Sequence, residues 1–572
     1  MRIETRLVPV VESLGASPLL QRVYAARGVQ QPAQLERGLS NLLPPADLPD
    51  IEIAAQRLAA AVMANQKILI VGDFDADGAT SVALCVRVLK ALGAQQVDFA
   101  VPNRFDFGYG LSPEIVDFVA PREPNLIVTV DNGVSSVQGV ARAAELGIEV
   151  IVTDHHLPGE ELPAATAVVN PNLKDAKFAS GNLAGVGVAY YVLSQVRRVL
   201  REQDWFVSKG IAEPNLAQYL DLVALGTVAD VVPLDSNNRI LVEQGLMRIR
   251  AGRCIPGIKA MLELAKRSAA KVSAQDIGFA VGPRLNAAGR LEDMSIGIKC
   301  LLAEDLASAR HLATALDQLN RTRRALEQDM VADAELMLTR HAESADDAEP
   351  KSGICVYDTT FHQGVVGIVA GRLREKFHRP AIAFADAGDA APDEVKGSAR
   401  SVDGLHIRDV LDYIANQHPG LLIKFGGHAM AAGLSIKRVH VERFGVIFDK
   451  AVAKLANAEV LEAKRVVDGE LLSAELTLDQ AREIAAGGPW GSGFPEPEFV
   501  GEFELVNQRV VGEQHLKLVL RHELGLVDGI AFRTPPLPTG TQRVQVVYKL
   551  SENDFGQYPT LQLMVEYLAA LP

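Results

Sequence analysis

The sequence predicts an α/β protein built on a parallel sheet, extended by a long helical connector, a second α/β domain and a small C-terminal β-barrel. Three observations carry this. From Lys67 to Thr153, strand-length apolar runs alternate with amphipathic helical stretches. From Leu301 to His341 the chain is rich in Ala, Leu, Arg and Glu, with neither Pro nor Gly. The last hundred or so residues alternate apolar and polar with period two, punctuated by Gly and Pro.

The elements follow in order. Strands are expected at Lys67–Val71, Val97–Val101, Leu126–Val130 and Glu149–Val152, and helices at Ala79–Leu92, Pro113–Ala120 and Ser135–Leu146. Ser112 is a good N-cap with Pro113 at the first helical position. Apolar strands between amphipathic helices imply a parallel sheet covered on both faces. Further helix is expected at Ala184–Glu202, Leu216–Leu225 and Arg239–Lys271. Leu301–His341 reads as one or two long helices, and the acidic stretch Glu343–Lys351 marks a boundary. A new α/β pattern begins at Gly353, and a second boundary falls near Ala456–Arg465. Runs such as Leu516–Leu520, Arg543–Leu550 and Thr560–Val565 suggest a barrel of about five strands, an OB-fold. The expected division is an N-terminal segment 1–50, a catalytic domain 51–240, a helical extension and connector 241–345, a second domain 350–456 and the barrel 463–572.

A chain of 572 residues exceeds one ordinary core. Apolar stretches are only strand-length, so no membrane span is expected. Met1–Arg6 lacks the apolar block of a signal peptide, and Cys85, Cys254, Cys300 and Cys355 form no CxxC pair. The expected compartment is a reducing cytoplasm. A net charge of −14 argues against simple electrostatic capture of nucleic acid. The charge is uneven, however. Eight Lys/Arg between Arg239 and Lys271 face only Glu243 and Glu263. That segment is either a face that tracks phosphates or a solvated helix surface.

The chemistry-bearing residues lie at strand ends. Asp73-Phe74-Asp75-Ala76-Asp77-Gly78 follows the first strand, Asp131-Asn132-Gly133 the third and Asp154-His155-His156 the fourth, while Asp230 stands in a later segment. In a parallel sheet the carboxyl ends share one edge, so these groups converge. Packed carboxylates resist joint ionisation unless cations sit among them. Carboxylates with a few imidazoles suit Mn²⁺ or Mg²⁺. Two such ions, about 3.5–4 Å apart, activate a water and stabilise a phosphoryl group under in-line attack. Asp131, at a central strand end, is the natural bridging ligand. No GxGxxG follows the first strand, and Gly185-Val186-Gly187 is a weak echo of one, which argues against a dinucleotide site.

These four motifs resemble those of the DHH phosphoesterase superfamily. Gly282-Pro283-Arg284-Leu285-Asn286-Ala287-Ala288-Gly289-Arg290 resembles the motif of its RecJ branch, and Gly426-Gly427-His428 with Ala431-Ala432-Gly433 is similar to the signature of the DHH-associated second domain. The resemblance implies a two-metal exonuclease that degrades single-stranded DNA from the 5′ end to nucleoside 5′-monophosphates, in repair and recombination. It implies Asp75, Asp77, Asp131, His155 and Asp230 as metal ligands, with Asp73 less settled. His156 would face the scissile phosphate, and Asp154 would orient the imidazoles. Arg284, Asn286 and Arg290 would contact DNA, and Ser398 with Arg400 would hold a terminal 5′-phosphate. His428 would sit opposite the metals, or else be a satisfied core histidine. Arg104, among Phe105, Phe107 and Tyr109, would grip the strand, unless that loop anchors itself in the core. Phe361–Gly367 leads into a helix whose N-terminus would bind phosphate or merely pack tightly. The family's role suggests a single-strand binding protein and a helicase as partners of a monomer. Two other readings share these motifs: a hydrolase of short oligonucleotides, cyclic dinucleotides or polyphosphate, and a non-catalytic DNA-binding scaffold.

Overall fold

The apolar run after Lys67 forms strand β1 (Ile68–Gly72), buried along its whole length because both faces of its sheet are covered. In the computed structural model, residues 1–102, 110–343, 351–388, 391–512, 514–554 and 556–572 are described. The expected strand-gripping Arg104 lies outside them. The chain divides into two units, residues 5–317 with 466–572 and residues 1–4 with 318–465.

In the larger unit, helix α1 (Ala76–Ala91) follows β1 and is buried on nearly every side. Strand β2 (Val97–Ala100), helix α2 (Pro113–Val119), strand β3 (Leu126–Val130), helix α3 (Val137–Glu145) and strands β4 (Glu149–Thr153) and β5 (Ala167–Val169) complete the alternation. Ser112 caps α2 by accepting the Ile115 N–H at 3.4 Å. The sheet order is β2-β1-β3-β4-β5, all parallel. Gly72 is level with Val130, Val130 with Thr153, and Thr153 with Val169. Asp73, Asp131 and Asp154 therefore leave the sheet from one edge.

Helix α4 (Gly185–Glu202) packs on β3, β4 and α1, α5 (Leu220–Ala229) packs on α1 and α4, and α6 (Ser236–Arg250) packs on α5. The expected continuous helix Arg239–Lys271 is broken. It ends at Arg250, Gly252 turns the chain with φ +71°, and Pro256 begins a new helix to Leu264. A π-helical turn, Ile277–Val281, leads into α7 (Gly282–Leu291). Helix α8 (Leu306–Glu343) starts where Asp305 accepts the Ser308 N–H at 2.9 Å, and the division between the units falls within it.

The smaller unit carries β6 (Ile354–Tyr357), α9 (Val366–Phe377), β7 (Ala381–Asp386), β8 (Glu394–Arg400), α10 (Ile407–Gln417), β9 (Lys424–Gly427), β10 (Ala431–Lys437) and α11 (Val441–Leu455). The sheet order is β9-β10-β8-β7-β6, with β6 and β7 parallel and the rest antiparallel. Phe384, Phe444 and Phe448 anchor its core.

The C-terminal strands β11 (Phe499–Val511), β12 (His515–His522), β13 (Gly525–Ala531), β14 (Arg543–Asn553) and β15 (Thr560–Leu571) close a barrel in the order β11-β12-β13-β15-β14. Alternate residues Leu516, Leu518 and Leu520, with Val544 and Val546, fill its interior, as period-two patterning requires.

Candidate metal centre

The acidic run after β1 folds as a turn into α1, and each carboxylate has its own backbone task. Asp73 accepts the Phe74 N–H at 2.7 Å. Asp75 is the N-cap of α1, accepting the N–H groups of Asp77 and Gly78 at 2.9 and 3.0 Å. Asp77 accepts the Gly185 and Val186 N–H groups at 2.6 and 3.0 Å, so it anchors the start of α4. A Cβ at Gly185 would stand 2.6 Å from the Asp131 Cβ, which is why glycine opens that helix. The Gly185-Val186-Gly187 run thus has a role that its likeness to a nucleotide motif obscures.

Asp131 occupies the left-handed region, with φ +62°. His155 Nε2 lies 3.1 Å from Asp131 Oδ1 and 3.5 Å from Asp230 Oδ2. That nitrogen makes no hydrogen bond among the described residues. Asp154 Oδ1 lies 2.8 Å from His156 Nδ1 and accepts the N–H groups of His155 and His156, while its Oδ2 accepts the Val134 N–H at 2.9 Å. The Asp154–His156 bond places the Nδ1 proton of His156 against Asp154 and fixes the ring plane.

Donor atoms converge in three groups, each within 4.8 Å: Asp73, Asp75 and Asp131; Asp77, His155 and Asp230; and Asp131, His155 and His156. Asp131 and His155 each belong to two. Electrostatics says what such a cluster needs. Burial, then Asp75, pushes Asp77 up to about 7. Burial, then Asp77, Asp75 and Asp73, pushes Asp230 up to about 9. Asp131 is raised well above the usual carboxylate range by burial and by the same neighbours. Burial, then His156, lowers His155 to about 4, so it is a neutral ligand at pH 7. For Asp154, burial opposes ionisation, but the His156 hydrogen bond and charge and the backbone N–H groups outweigh it, and its pKa is lowered. For His156, burial is likewise outweighed by Asp154, and the ring titrates above its usual value. Oxygen-rich donors with one neutral imidazole, unable to ionise together alone, fit a pair of hard divalent cations.

Asn286 and Gly289 of the motif Gly282–Arg290 lie against the acidic turn. Asn286 Oδ1 accepts the Ala76 N–H at 2.8 Å, and a Cβ at Gly289 would stand 1.8 Å from the Phe74 carbonyl oxygen. Helix α7 therefore clamps the acidic turn. Arg284, expected at DNA, is only 7% exposed and pairs with Asp317 at 2.7 Å and with the Ala280 carbonyl, so it braces α7 instead. Arg290, in the last turn of α7, is half-buried. None of these backbone partnerships is visible in residue spacing.

The segment Arg239–Lys271 is mixed: Arg253, Lys259 and Lys266 are exposed, while other cations of the run are paired or buried. Arg239 is buried, stacks over Phe494 at 4.1 Å and donates to the Leu234 and Gln34 carbonyls. Arg250 pairs with Glu243 at 2.9 Å, Arg267 with Asp276 at 3.3 Å and Lys271 with Asp554 at 2.8 Å.

In the smaller unit, Arg400 donates to Ser398 Oγ at 2.9 Å and to the Ala399 carbonyl at 2.8 Å. A Cβ at Gly367 would lie 2.9 Å from Arg400 Nη2 and 3.0 Å from Ser398 Oγ, so the first turn of α9 rests on this pair. Burial, then Arg374, lowers the Arg400 pKa, as for a cation in want of an anion. His428 is exposed, which excludes the core alternative.

Residues 67–227 match the model of the DHH family N-terminal domain, 351–457 the DHHA1 domain and 467–567 the RecJ OB domain. The chain is 52% identical over 554 residues to the single-stranded-DNA-specific exonuclease RecJ of Escherichia coli K12, spanning 96% of this chain and 95% of that protein. The crystal structure of RecJ in complex with Mn²⁺ from Thermus thermophilus aligns with a TM-score of 0.79 at 30% identity, over 100% of this chain and 80% of that one. The Mg²⁺ complex of the same protein aligns at 0.75 and 28%, over 100% and 79%.

Proposed function

The chain belongs to the RecJ family of DHH phosphoesterases, and from that premise we propose that it is a divalent-metal-dependent exonuclease degrading single-stranded DNA from the 5′ end to nucleoside 5′-monophosphates. One observation carries the chemistry: the two donor groups joined through Asp131 and His155 at one sheet edge. We assign Asp77, His155 and Asp230 to one ion, Asp73 and Asp75 to the other, and Asp131 to both. When bound, such ions supply an activated water and offset charge on the phosphoryl group. The residues do the rest. Asp154 holds His156 by Nδ1, so that the other edge of the ring can donate to a phosphate oxygen. Burial alone would lower the His156 pKa, but the Asp154 hydrogen bond and charge outweigh it and raise it, which favours the protonated ring for that task.

The 5′ end is assigned to Ser398, Arg400 and the first turn of α9, which together offer a hydroxyl, a guanidinium and backbone N–H groups to a phosphate. His428 and Arg290 are assigned to the strand backbone. We carry forward the division 51–240, 241–345, 350–456 and 463–572, and a cytoplasmic monomer working with a helicase and a single-strand binding protein. Among the described residues no helix is long and apolar enough to cross a membrane. The test is digestion of end-labelled single strands with Mn²⁺ or Mg²⁺, with and without a 5′-phosphate. Mononucleotide release from the 5′ end is expected; initial release of label from the 3′ end overturns the polarity.

A further inference from the structure

We propose that an apolar cavity beside Asp230 seats a nucleobase of the bound single strand, with the ring of Phe279 stacking on it. The proposal rests on the single-strand reading above. The cavity, of about 330 Å³, is lined by Val231, Val232, Leu234, Phe279, Trp490 and Pro495. That size falls within the range of small-molecule sites, roughly 300–1,000 Å³.

Independent features meet there. Phe279 is 78% exposed, and it projects from a π-helical turn, a geometry that recurs at functional sites. Val231 is 67% exposed and left-handed, with φ +62°, a conformation a β-branched residue adopts only where its surroundings impose it. Neither placement serves the core.

The cavity is also fixed to the metal centre. Ala229 and Val231, the chain neighbours of Asp230, both line it. A Cβ at Gly278 would lie 3.3 Å from Val228 Cγ1, and one at Gly282 would lie 3.2 Å from Ala229 Cβ. The π-helical turn is thus packed against the end of α5 that presents Asp230, and it runs directly into α7, whose Asn286 holds the acidic turn.

The rim says which part of a nucleotide enters. Gln275 donates to Glu496 at 2.7 Å, and Lys549 lies 3.3 Å from Glu496 and 3.8 Å from Glu498. Two carboxylates against one ammonium repel a phosphate. They suit a flat apolar group edged with N–H donors, which is a base. Stacking on a phenyl ring tolerates any base, as a non-specific exonuclease requires.

The test uses oligonucleotides with a single 2-aminopurine at successive positions, mixed with the full-length protein in EDTA. Fluorescence quenching is expected at one or two adjacent positions in the wild type. It should vanish in Phe279→Ala and Phe279→Leu and persist in Phe279→Tyr. Strand affinity should fall roughly 5- to 100-fold for Ala and be restored by Tyr, the range of a lost base–aromatic stack. Unchanged affinity and quenching in Phe279→Ala overturn the proposal. Should that variant melt early, photocrosslinking of 5-iodouracil strands to the wild type decides. Adducts within 277–281 or 229–232 support the site, and adducts confined elsewhere overturn it. A wild type that cuts single strands while Phe279→Ala binds normally sinks only this inference; a wild type that neither binds nor cuts them sinks the single-strand reading as well.

Discussion

The Asp77 carboxylate accepts the Gly185 N–H at 2.6 Å across 108 residues of sequence, so one side chain both faces the metal cluster and caps α4. The two duties separate by substitution. Asp77→Asn keeps an acceptor for the helix but loses the charge; Asp77→Ala loses both. Each should abolish nuclease activity and metal-induced stabilisation. In EDTA the Ala variant should be less stable than Asn by about 1 kcal/mol, the worth of an N-cap. Urea unfolding of both proteins measures the difference, and equal midpoints would show that the cap contributes nothing.

Metal removal should expose the repulsion in the cluster. Asp77 and Asp230 titrate near 7 and 9 in the folded protein without ions. In the unfolded chain an Asp titrates near 4. Between those values the native state holds protons that the unfolded state has released. Stability present below about pH 4 is therefore lost as pH rises through about 7 and then 9. In EDTA the melting temperature should fall from pH 6 to pH 9. Asp131→Asn should melt higher than wild type in EDTA, because the amide is neutral without the proton uptake that burial and the neighbouring carboxylates force on Asp131, while its kcat drops by roughly three orders of magnitude. Mn²⁺ at a hundred times its Kd should restore about 2.7 kcal/mol to the wild type. A flat pH profile in EDTA would contradict the cluster's electrostatics.

The strands, the barrel and the convergence of Asp73, Asp131 and Asp154 were legible in the sequence because they depend on short-range periodicity and on parallel register. Leu516–Leu520 and Thr560–Val565, read from alternation alone, lie within β12 and β15. What escaped depends on contacts between distant segments. The Asn286–Ala76 bond spans 210 residues and the Lys271–Asp554 pair 283. Charge counting between Arg239 and Lys271 could not reveal that Arg239, Arg248, Arg250, Arg267 and Lys271 are taken by Glu243, Asp276, Asp554 and backbone carbonyls, while Arg253, Lys259 and Lys266 stay exposed. A side chain's type says what it can bond to; only the packing says what it meets.

Ser398 and Arg400 should set the preference for a phosphorylated end. Losing a charge-assisted hydrogen bond costs about 1.5–3 kcal/mol. Arg400→Ala should raise KM for 5′-phosphorylated strands by about 10- to 100-fold on that scale, with kcat nearly unchanged. Strands with a 5′-hydroxyl should be far less affected, so the ratio of kcat/KM between the two ends should approach one. A parallel loss on both ends would place Arg400 elsewhere in the machinery.

Lys271 and Arg250 should matter little to DNA. Each is paired, with Asp554 and Glu243 respectively. Removing one phosphate-neutralising cation lowers the slope of log Kd against log salt by about one. Lys271→Ala and Arg250→Ala should leave that slope unchanged in fluorescence anisotropy titrations. A slope lowered in either variant would restore a phosphate-tracking role to this segment.

Asn286 should act on DNA cleavage through the metals rather than through the strand. Its Oδ1 is bonded to the Ala76 N–H, between two candidate ligands, Asp75 and Asp77. Asn286→Ala leaves that N–H without its partner and frees the turn to shift, a change worth about 1 kcal/mol. An ångström of displacement in a ligand matters far more to a two-ion site than to fold stability. The variant should therefore bind Mn²⁺ more weakly by calorimetry and need more of it for half-maximal rate. At saturating metal its KM for single strands should match the wild type. Asn286→Asp, which retains the acceptor, should recover much of the metal affinity. A raised KM at saturating Mn²⁺ with unaltered metal binding would instead make Asn286 a strand contact, the role its motif suggests and its hydrogen bond to Ala76 argues against.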